Sequence, residues 1–159
     1  MDIVYENKIL PINRMFGSEL GRTVHMHKEL EVIYVRHGKA VAYADKNSYL
    51  LNSGDMFITF PNQIHYYETL KGGEFIVLIF SPNILHEISS EVSKSIPDTN
   101  FFPAGNREIE EIFDKIYAAD GKYADVAMSG YIHVLMSMIL PQVTLKTVAA
   151  EKNSAFYSV

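Results

Sequence analysis

The stretch from His25 to Gly38, completed by His65, constrains this chain more than any other. It reads His25-Met26-His27-Lys28-Glu29-Leu30-Glu31, then the β-prone run Val32-Ile33-Tyr34-Val35-Arg36-His37, then Gly38. A second block, Gly54-Asp55-Met56-Phe57-Ile58-Thr59-Phe60-Pro61-Asn62-Gln63-Ile64-His65, supplies a fourth metal-competent side chain. His25 and His27 are two apart, so on a strand both rings project from one face. Glu31 has the same parity, yet an extended chain would carry it roughly 13 Å beyond His27 at about 3.3 Å per residue. For Glu31 to join the pair, the chain must bend at Lys28-Glu29-Leu30, where two charged residues interrupt the β pattern. Glu31 then opens the next strand, opposite the histidines.

Three His and one Glu suit a divalent transition metal (Zn, Ni, Mn or Fe), with positions left open for water or another ligand. The same four side chains also suit polar walls contacting an organic effector. A third reading makes His25 and His65 satisfied core histidines. Four buried polar groups are expensive without a ligand or one another, which weighs against a purely structural role for all four. Lys28 and Glu29 read as a solvated turn, His37 as solvent-facing, and His133 as a core or interface histidine.

The chain has 159 residues, 48% of them hydrophobic, enough for one ordinary globular domain with an appendage. It has no cysteine, which excludes disulfides and thiolate metal sites and fits a reducing compartment. The N-terminus lacks the basic and apolar regions of a signal peptide. No uninterrupted apolar run approaches the roughly 20 residues of a membrane span, so a cytoplasmic protein is expected. With a net charge of −5 and no basic stripe, this chain is not expected to hold nucleic acid by itself.

Residues 1–20 predict an edge strand or an arm wrapping the fold. From Arg22 to Pro82 short β segments recur between turn signals: Arg22–His27, Glu31–Arg36, Lys39–Ala44, Ser48–Leu51, Asp55–Phe60, His65–Thr69 and Glu74–Phe80. His37-Gly38 and Lys71-Gly72-Gly73 read as two of the turns. Parity turns Ile33 and Val35 inward with Glu31, and Tyr67 inward with His65. Glu74–Phe80 is apolar on both faces, so it needs cover on both sides. Parity does not decide between its two faces; one arrangement has Phe75, Val77 and Ile79 line a pocket while Ile76, Leu78 and Phe80 meet a second layer.

Beyond Pro82 the character changes. A short helix is expected near Ile84–Ser90. Asn106 is a good helix N-cap, and Ile109, Ile112, Phe113, Ile116 and Tyr117 form one apolar face, with Gly121 as the stop. A second helix from about Tyr123 to Leu140 ends before Pro141. It is apolar almost all round and needs burial on more than one side. A partner chain is the simplest outer cover, through Tyr131, Val134, Leu135 and Met138.

The spacing H-x-H-x3-E-x6-G at His25, His27, Glu31 and Gly38 resembles the first signature of the cupin fold. Gly54 and His65 match the second. Pro61 is shifted by one, Asn62 replaces a usual glycine, Thr69 replaces a usual Asn, and Glu19 stands where the first signature normally opens with glycine. Asn tolerates the left-handed backbone that a turn glycine serves. The resemblance implies a mainly β architecture. A cupin barrel (double-stranded β-helix, or jelly-roll) is followed by two or more C-terminal α-helices forming an antiparallel pair.

With the strand ending Ile79-Phe80-Ser81-Pro82 and two helices behind it, residues about 20 to 140 resemble the N-terminal domain of AraC-type bacterial transcription regulators. That implies an effector-binding barrel with its arm over 1–82, and a helical dimerisation and linker region over 83–159. The pocket set is His25, His27, Glu31, Ile33, Val35, His65, Tyr67, Phe75 and Val77. The implied partners are a small effector such as a sugar, a second copy, and DNA only through helix-turn-helix modules that lie outside this chain. The runner-up is a small metal-dependent cupin enzyme, an isomerase or oxygenase, for which the residues offer no evident separate acid or base.

Overall fold

The computed structural model describes residues 2–6 and 11–148; the expectations for the last residues of the chain lie outside these. Ten strands are described: β1 (Val4–Tyr5), β2 (Ile12–Gly17), β3 (His25–Met26), β4 (Leu30–Ala44), β5 (Asn47–Asn52), β6 (Met56–Thr59), β7 (His65–Phe80), β8 (Ser95–Pro97), β9 (Phe101–Phe102) and β10 (Leu145–Thr147). Three α-helices accompany them: α1 (Ser89–Ser93), α2 (Arg107–Ala118) and α3 (Ala124–Ile139). Two 3-10 turns, Pro82–Ile84 and His86–Ile88, precede α1. The short helix expected near Ile84–Ser90 is thus mostly 3-10 turns.

Eight strands make one mixed sheet in the order β1-β3-β7-β4-β6-β9, with β2 on β7 and β5 on β4; β1 and β3 are parallel. The fold is cupin-like and mainly β with C-terminal helices, but its strands do not close into a complete barrel.

The largest departure from expectation is in the two long strands. β4 runs unbroken through His37-Gly38, and β7 through Lys71-Gly72-Gly73. These glycines are points of close approach rather than chain reversals. A Cβ on Gly38, which has φ +120°, would lie 2.6 Å from the Lys71 carbonyl oxygen, and one on Gly73 would collide with the His37 carbonyl. The β4–β7 register slips between Val35 and Ala40, a bulge region that bends both strands at the same level.

That bend divides the sheet. On one side, Leu30, Val32, Tyr34, Ile76, Leu78 and Phe80 face the helices in one continuous core. Ile109, Ile112, Phe113 and Ile116 of α2, and Met128, Ile132, Leu135, Met136 and Ile139 of α3, fill its other side. On the inner face a second cluster holds Ile33, Val35, Ala40, Ala42, Ala44, Phe57, Tyr67 and Phe75. Phe75–Phe80 is therefore covered twice, as its pattern requires.

α2 begins at Asn106, whose side chain accepts a hydrogen bond from the Ile109 amide. Tyr117 departs from its expected buried place: it is 42% exposed, with its ring against Phe16 and under the Arg36 guanidinium. α3 is not buried all round either. Val126 and Val134 are exposed, at 72% and 50%, and His133 is exposed as well. Leu135, expected on an outer interface, is fully buried against the sheet and belongs to the core. By length and composition alone, the 19 residues Ala124–Gln142 are also long and apolar enough to cross a membrane, contrary to the expectation that no segment would be. One side of that helix packs into the domain core.

Candidate ligand pocket and cation site

Lys28 and Glu29 form the required bend between β3 and β4. It turns Glu31 back onto the histidines, and β3 sets His25 beside His65 of β7 in register. The loop before His65 is held by a buried polar network. Gln63 donates to Asp45 at 3.1 Å and accepts from the Phe60 amide and the Asn100 side chain at 2.9 and 2.8 Å. Asn62 adopts φ +66°, the left-handed turn conformation its type tolerates, and its amide donates to the His27 carbonyl at 2.8 Å. The Asp45 and Asn100 contributions have no signature in the sequence, because they arrive from turns remote from the motif.

Around one carboxylate oxygen the site converges. Glu31 Oε2 lies 2.9 Å from His27 Nε2, 3.3 Å from His65 Nε2 and 3.6 Å from His25 Nε2. One potential ligand atom from each of the four residues lies within 4.8 Å of all the others, and all four residues are buried. Tyr67 donates its hydroxyl to the other oxygen, Glu31 Oε1, at 2.7 Å.

Each histidine is held from behind in the same way. His25 Nδ1 lies 2.7 Å from the Thr23 carbonyl, His27 Nδ1 3.1 Å from that of Glu29, and His65 Nδ1 2.9 Å from that of Gln63. A carbonyl only accepts, so each Nδ1 carries a proton and each ring turns its Nε2 to the centre, a donor to Glu31 when protonated and a metal ligand when not. Three Nε2 atoms and a carboxylate converging on one spot need positive charge there, from protons or from a metal ion. Backbone carbonyls holding the remote nitrogens are also how metal-ligating histidines are commonly oriented.

Protonation behaviour follows from this geometry. Burial pushes the Glu31 carboxyl up, but hydrogen bonds from His25, His27 and His65 outweigh it and hold the group well below its usual range. Burial pulls His25 down, yet Glu31 and the Thr23 carbonyl overcome this, and its pKa ends above the ordinary 6.5. Burial, then the Glu31 charge, push Tyr67 well above the usual phenol range. Thr59 Oγ1, across from Glu31 on β6, is buried without a hydrogen-bond partner. An orphaned hydroxyl beside a ligand-rich centre fits a site built for a further occupant.

Beside this cluster opens a cavity of about 310 Å³. Met15, Phe16, Leu20, Phe75, Val77 and Ile79 supply its apolar walls, and His25, Glu31 and Tyr67 its polar surface. Glu6 and Glu19 also line it. Phe75, Val77 and Tyr67 are on its lining; for Phe75 and Val77, strand parity alone leaves either face open. Ile33 and Val35 are not: both are fully buried in the inner core. His27 and His65 stand behind His25 and Glu31, in the cluster but off the cavity lining. β2, within the segment expected as an edge strand or arm, adds Met15, Phe16 and Gly17, which no motif marks and only its pairing with β7 places there. Glu29 corrects the solvated-turn reading: its Oε2 is buried without a hydrogen-bond partner, 3.6 Å from His27 Nδ1.

The strand order and the His/Glu floor define a cupin-type small-molecule binding domain. The chain belongs to the family of AraC-like ligand binding domains, whose sequence model matches residues 18–134. No individual curated protein matches significantly. Among solved structures, a ligand-free variant of ToxT from Vibrio cholerae is 9% identical with a TM-score of 0.60, over 86% of this chain and 58% of that one. A second ToxT crystal structure is 13% identical with a TM-score of 0.51, over 82% and 55% respectively. These likenesses concern the fold, and this chain spans less than two thirds of either protein's length.

Proposed function

We propose that this chain is the effector-sensing and dimerisation region of an AraC-type transcription regulator. A small molecule enters the cavity between β2 and the second half of β7, and the outer surface of α2 and α3 meets a second copy. DNA is contacted by helix-turn-helix modules outside this chain. The observation that carries the reading is the cavity opening onto His25, Glu31 and Tyr67 within a matched ligand-binding domain. Mostly apolar walls suit an effector with an apolar body better than a sugar. The 1–82 portion then serves as the sensing part, and 83–159 as the dimerisation and linker part.

The same floor holds a divalent transition metal, with His25, His27, His65 and Glu31 as ligands. Their type, number and convergence fit a zinc-like ion. A bound ion would supply Lewis acidity and a fixed positive charge to the pocket. Tyr67 orients Glu31, and the three carbonyls keep the imidazoles in the metal-binding tautomer. This arrangement is also what favours the second reading, a metal-dependent isomerase or oxygenase. Against it, Tyr67 is the one other buried titratable group on the described lining. It stays protonated and bonded to Glu31, which leaves it a poor general base.

Light scattering combined with a thermal-shift screen of small metabolites tests the proposal. A dimer that a small molecule stabilises without turnover, with the response lost in a cavity-filling Val77→Trp variant, is the expected result. A monomer that converts a bound compound would overturn it in favour of the enzyme.

A further inference from the structure

We propose that β2 is the element through which occupancy of the cavity reaches the helices, with Arg14 and Phe16 as its coupling residues. This rests on the sensing reading above and goes further, since it names the route by which a bound molecule is felt at the proposed dimer surface.

β2 works on two sides. Successive residues of a strand project to opposite faces, so Asn13, Met15 and Gly17 share one face and Ile12, Arg14 and Phe16 the other. Met15, Phe16 and Gly17 line the cavity. Ile12 packs against the helical core, and the Phe16 ring lies 4.8 Å from that of Tyr117. Arg14 donates to the Ile116 and Ala119 carbonyls at 2.6 and 2.7 Å. Carbonyls at a helix C-terminus have no partner within the helix. Two of those at the end of α2 are thus held by a strand that walls the cavity. Arg36 of β4 fixes the same helix end, with its guanidinium 4.3 Å from the Tyr117 ring centroid and 3.6 Å from Asp114.

β2 is also the wall best able to respond. Among the described strands it pairs with β7 alone, whereas Phe75–Phe80 of β7 is flanked by both β2 and β4. Met15 and Phe16 are half-exposed, and a strand held by one ladder with little buried surface opens at low cost. An occupant packed on Met15 and Phe16 favours the closed strand over the opened one. That difference in affinity is what such a coupling requires. The helix it reaches matters, because Glu108, Glu111 and Lys115 of α2 line the outer groove with Tyr131, Val134 and Met138 of α3. Closing β2 therefore steadies the last turn of a helix that walls the proposed interface.

The test uses a tethered occupant, so it needs no natural effector. The chain has no cysteine, and a Val77→Cys variant carries one thiol, on the lining and in register with Met15 of β2. Hexyl methanethiosulfonate then fixes an apolar body there through a disulfide. Mass spectrometry measures the labelling, and circular dichroism checks the fold. Amide exchange is followed before and after labelling in Val77→Cys and in Val77→Cys/Arg14→Ala. With Arg14 present, labelling should slow exchange in the last turn of α2 at least about threefold. With Arg14→Ala that slowing should be lost, although an Arg14 that served stability alone would leave it in place. β5, which pairs only with β4 among the described strands, should be unaffected throughout. Labelling with no change at α2, the same slowing without Arg14, or slowing that extends equally to β5 would overturn the coupling and leave the pocket standing. Folded Val77→Cys protein that the reagent does not label would overturn the pocket reading, and this inference with it.

Discussion

The two ends of β4 show what the fold asks of each region. From Leu30 to Val35 every residue is buried, because helices cover one face and the inner core covers the other. From Ala40 to Ala44 buried and half-buried residues alternate, because only the inner face is covered. Glu31 lies in the doubly covered part, 3% exposed and bordering the cavity, so its charge is largely desolvated and is neutralised locally. The exposed apolar residues of α3 lie at the opposite extreme, on an outer surface that nothing among the described residues covers. Near Val134, Tyr131 and Met138 line a shallow groove with Glu108, Glu111 and Lys115 of α2. Buried polarity and exposed apolarity are both unfavourable in isolation, and on the proposed reading each marks a place where the domain is completed by something else.

The sharpest way to break the comparison is to remove the buried charge. Glu31→Gln keeps the shape of the side chain but leaves three Nε2 atoms without their carboxylate. Zinc affinity, followed by competition with a chromophoric chelator, should fall by more than about 100-fold, since direct ligands matter more than the 10–100-fold typical of their supporting partners. Unchanged affinity would show that Glu31 only closes the pocket.

Adjacent positions on α3 test the outer surface. Leu135→Ala should cost about 2–5 kcal/mol in denaturant unfolding, as a buried leucine does. Val134→Lys should change monomer stability by no more than about 0.5 kcal/mol, while dissociating the dimer in light scattering. If Val134→Lys leaves a dimer intact, the interface lies elsewhere.

Tyr67→Phe frees Glu31 Oε1 while leaving the four cluster residues in place. Zinc affinity should drop by about tenfold or more, with the fold retained. Arg14→Ala tests how β2 is tied to α2. The guanidinium donates to the Ile116 and Ala119 carbonyls at 2.6 and 2.7 Å, so its loss should cost about 1–3 kcal/mol and speed amide exchange at the end of α2.

The smallest effect concerns pH in the metal-free protein. His25 has a folded pKa above 6.5, so its stabilising contribution is complete below 6.5 and is lost as pH rises through the raised value. Glu31 has a folded pKa well below 4.5, so its contribution is present above 4.5 and is lost only in strong acid. Melting temperature should therefore peak between these limits and decline above pH 6.5. Glu31→Gln should flatten the alkaline decline.

Much of the site was legible because motif spacing is a geometric statement. A spacing of two between the imidazoles fixes a common face, and the charged bend after His27 delivers Glu31 to it. The apolar double face of Phe75–Phe80 likewise announced two layers, and Asn106 announced a helix start. What escaped was what tertiary approach alone decides. Gly38 and Gly73 look like turn residues locally, but they are small because two long strands pass too closely for a Cβ. Leu135 and Val134 are equally apolar, and only the packed direction of α3 separates core from surface. Glu29 looks like an exposed charge until the bend folds one of its oxygens under His27.

The central claim is that the buried Glu31 and the three imidazoles form a site completed by a cation. Elemental analysis tests it most directly, on tag-free protein equilibrated with zinc and desalted, beside a His27→Ala/His65→Ala variant. The account predicts about one zinc per chain in the wild type, as a single closed set of ligands holds, and none in the variant. Folded wild-type protein that retains no zinc would contradict it, and the cluster would then be a proton-balanced polar wall of an organic-effector pocket.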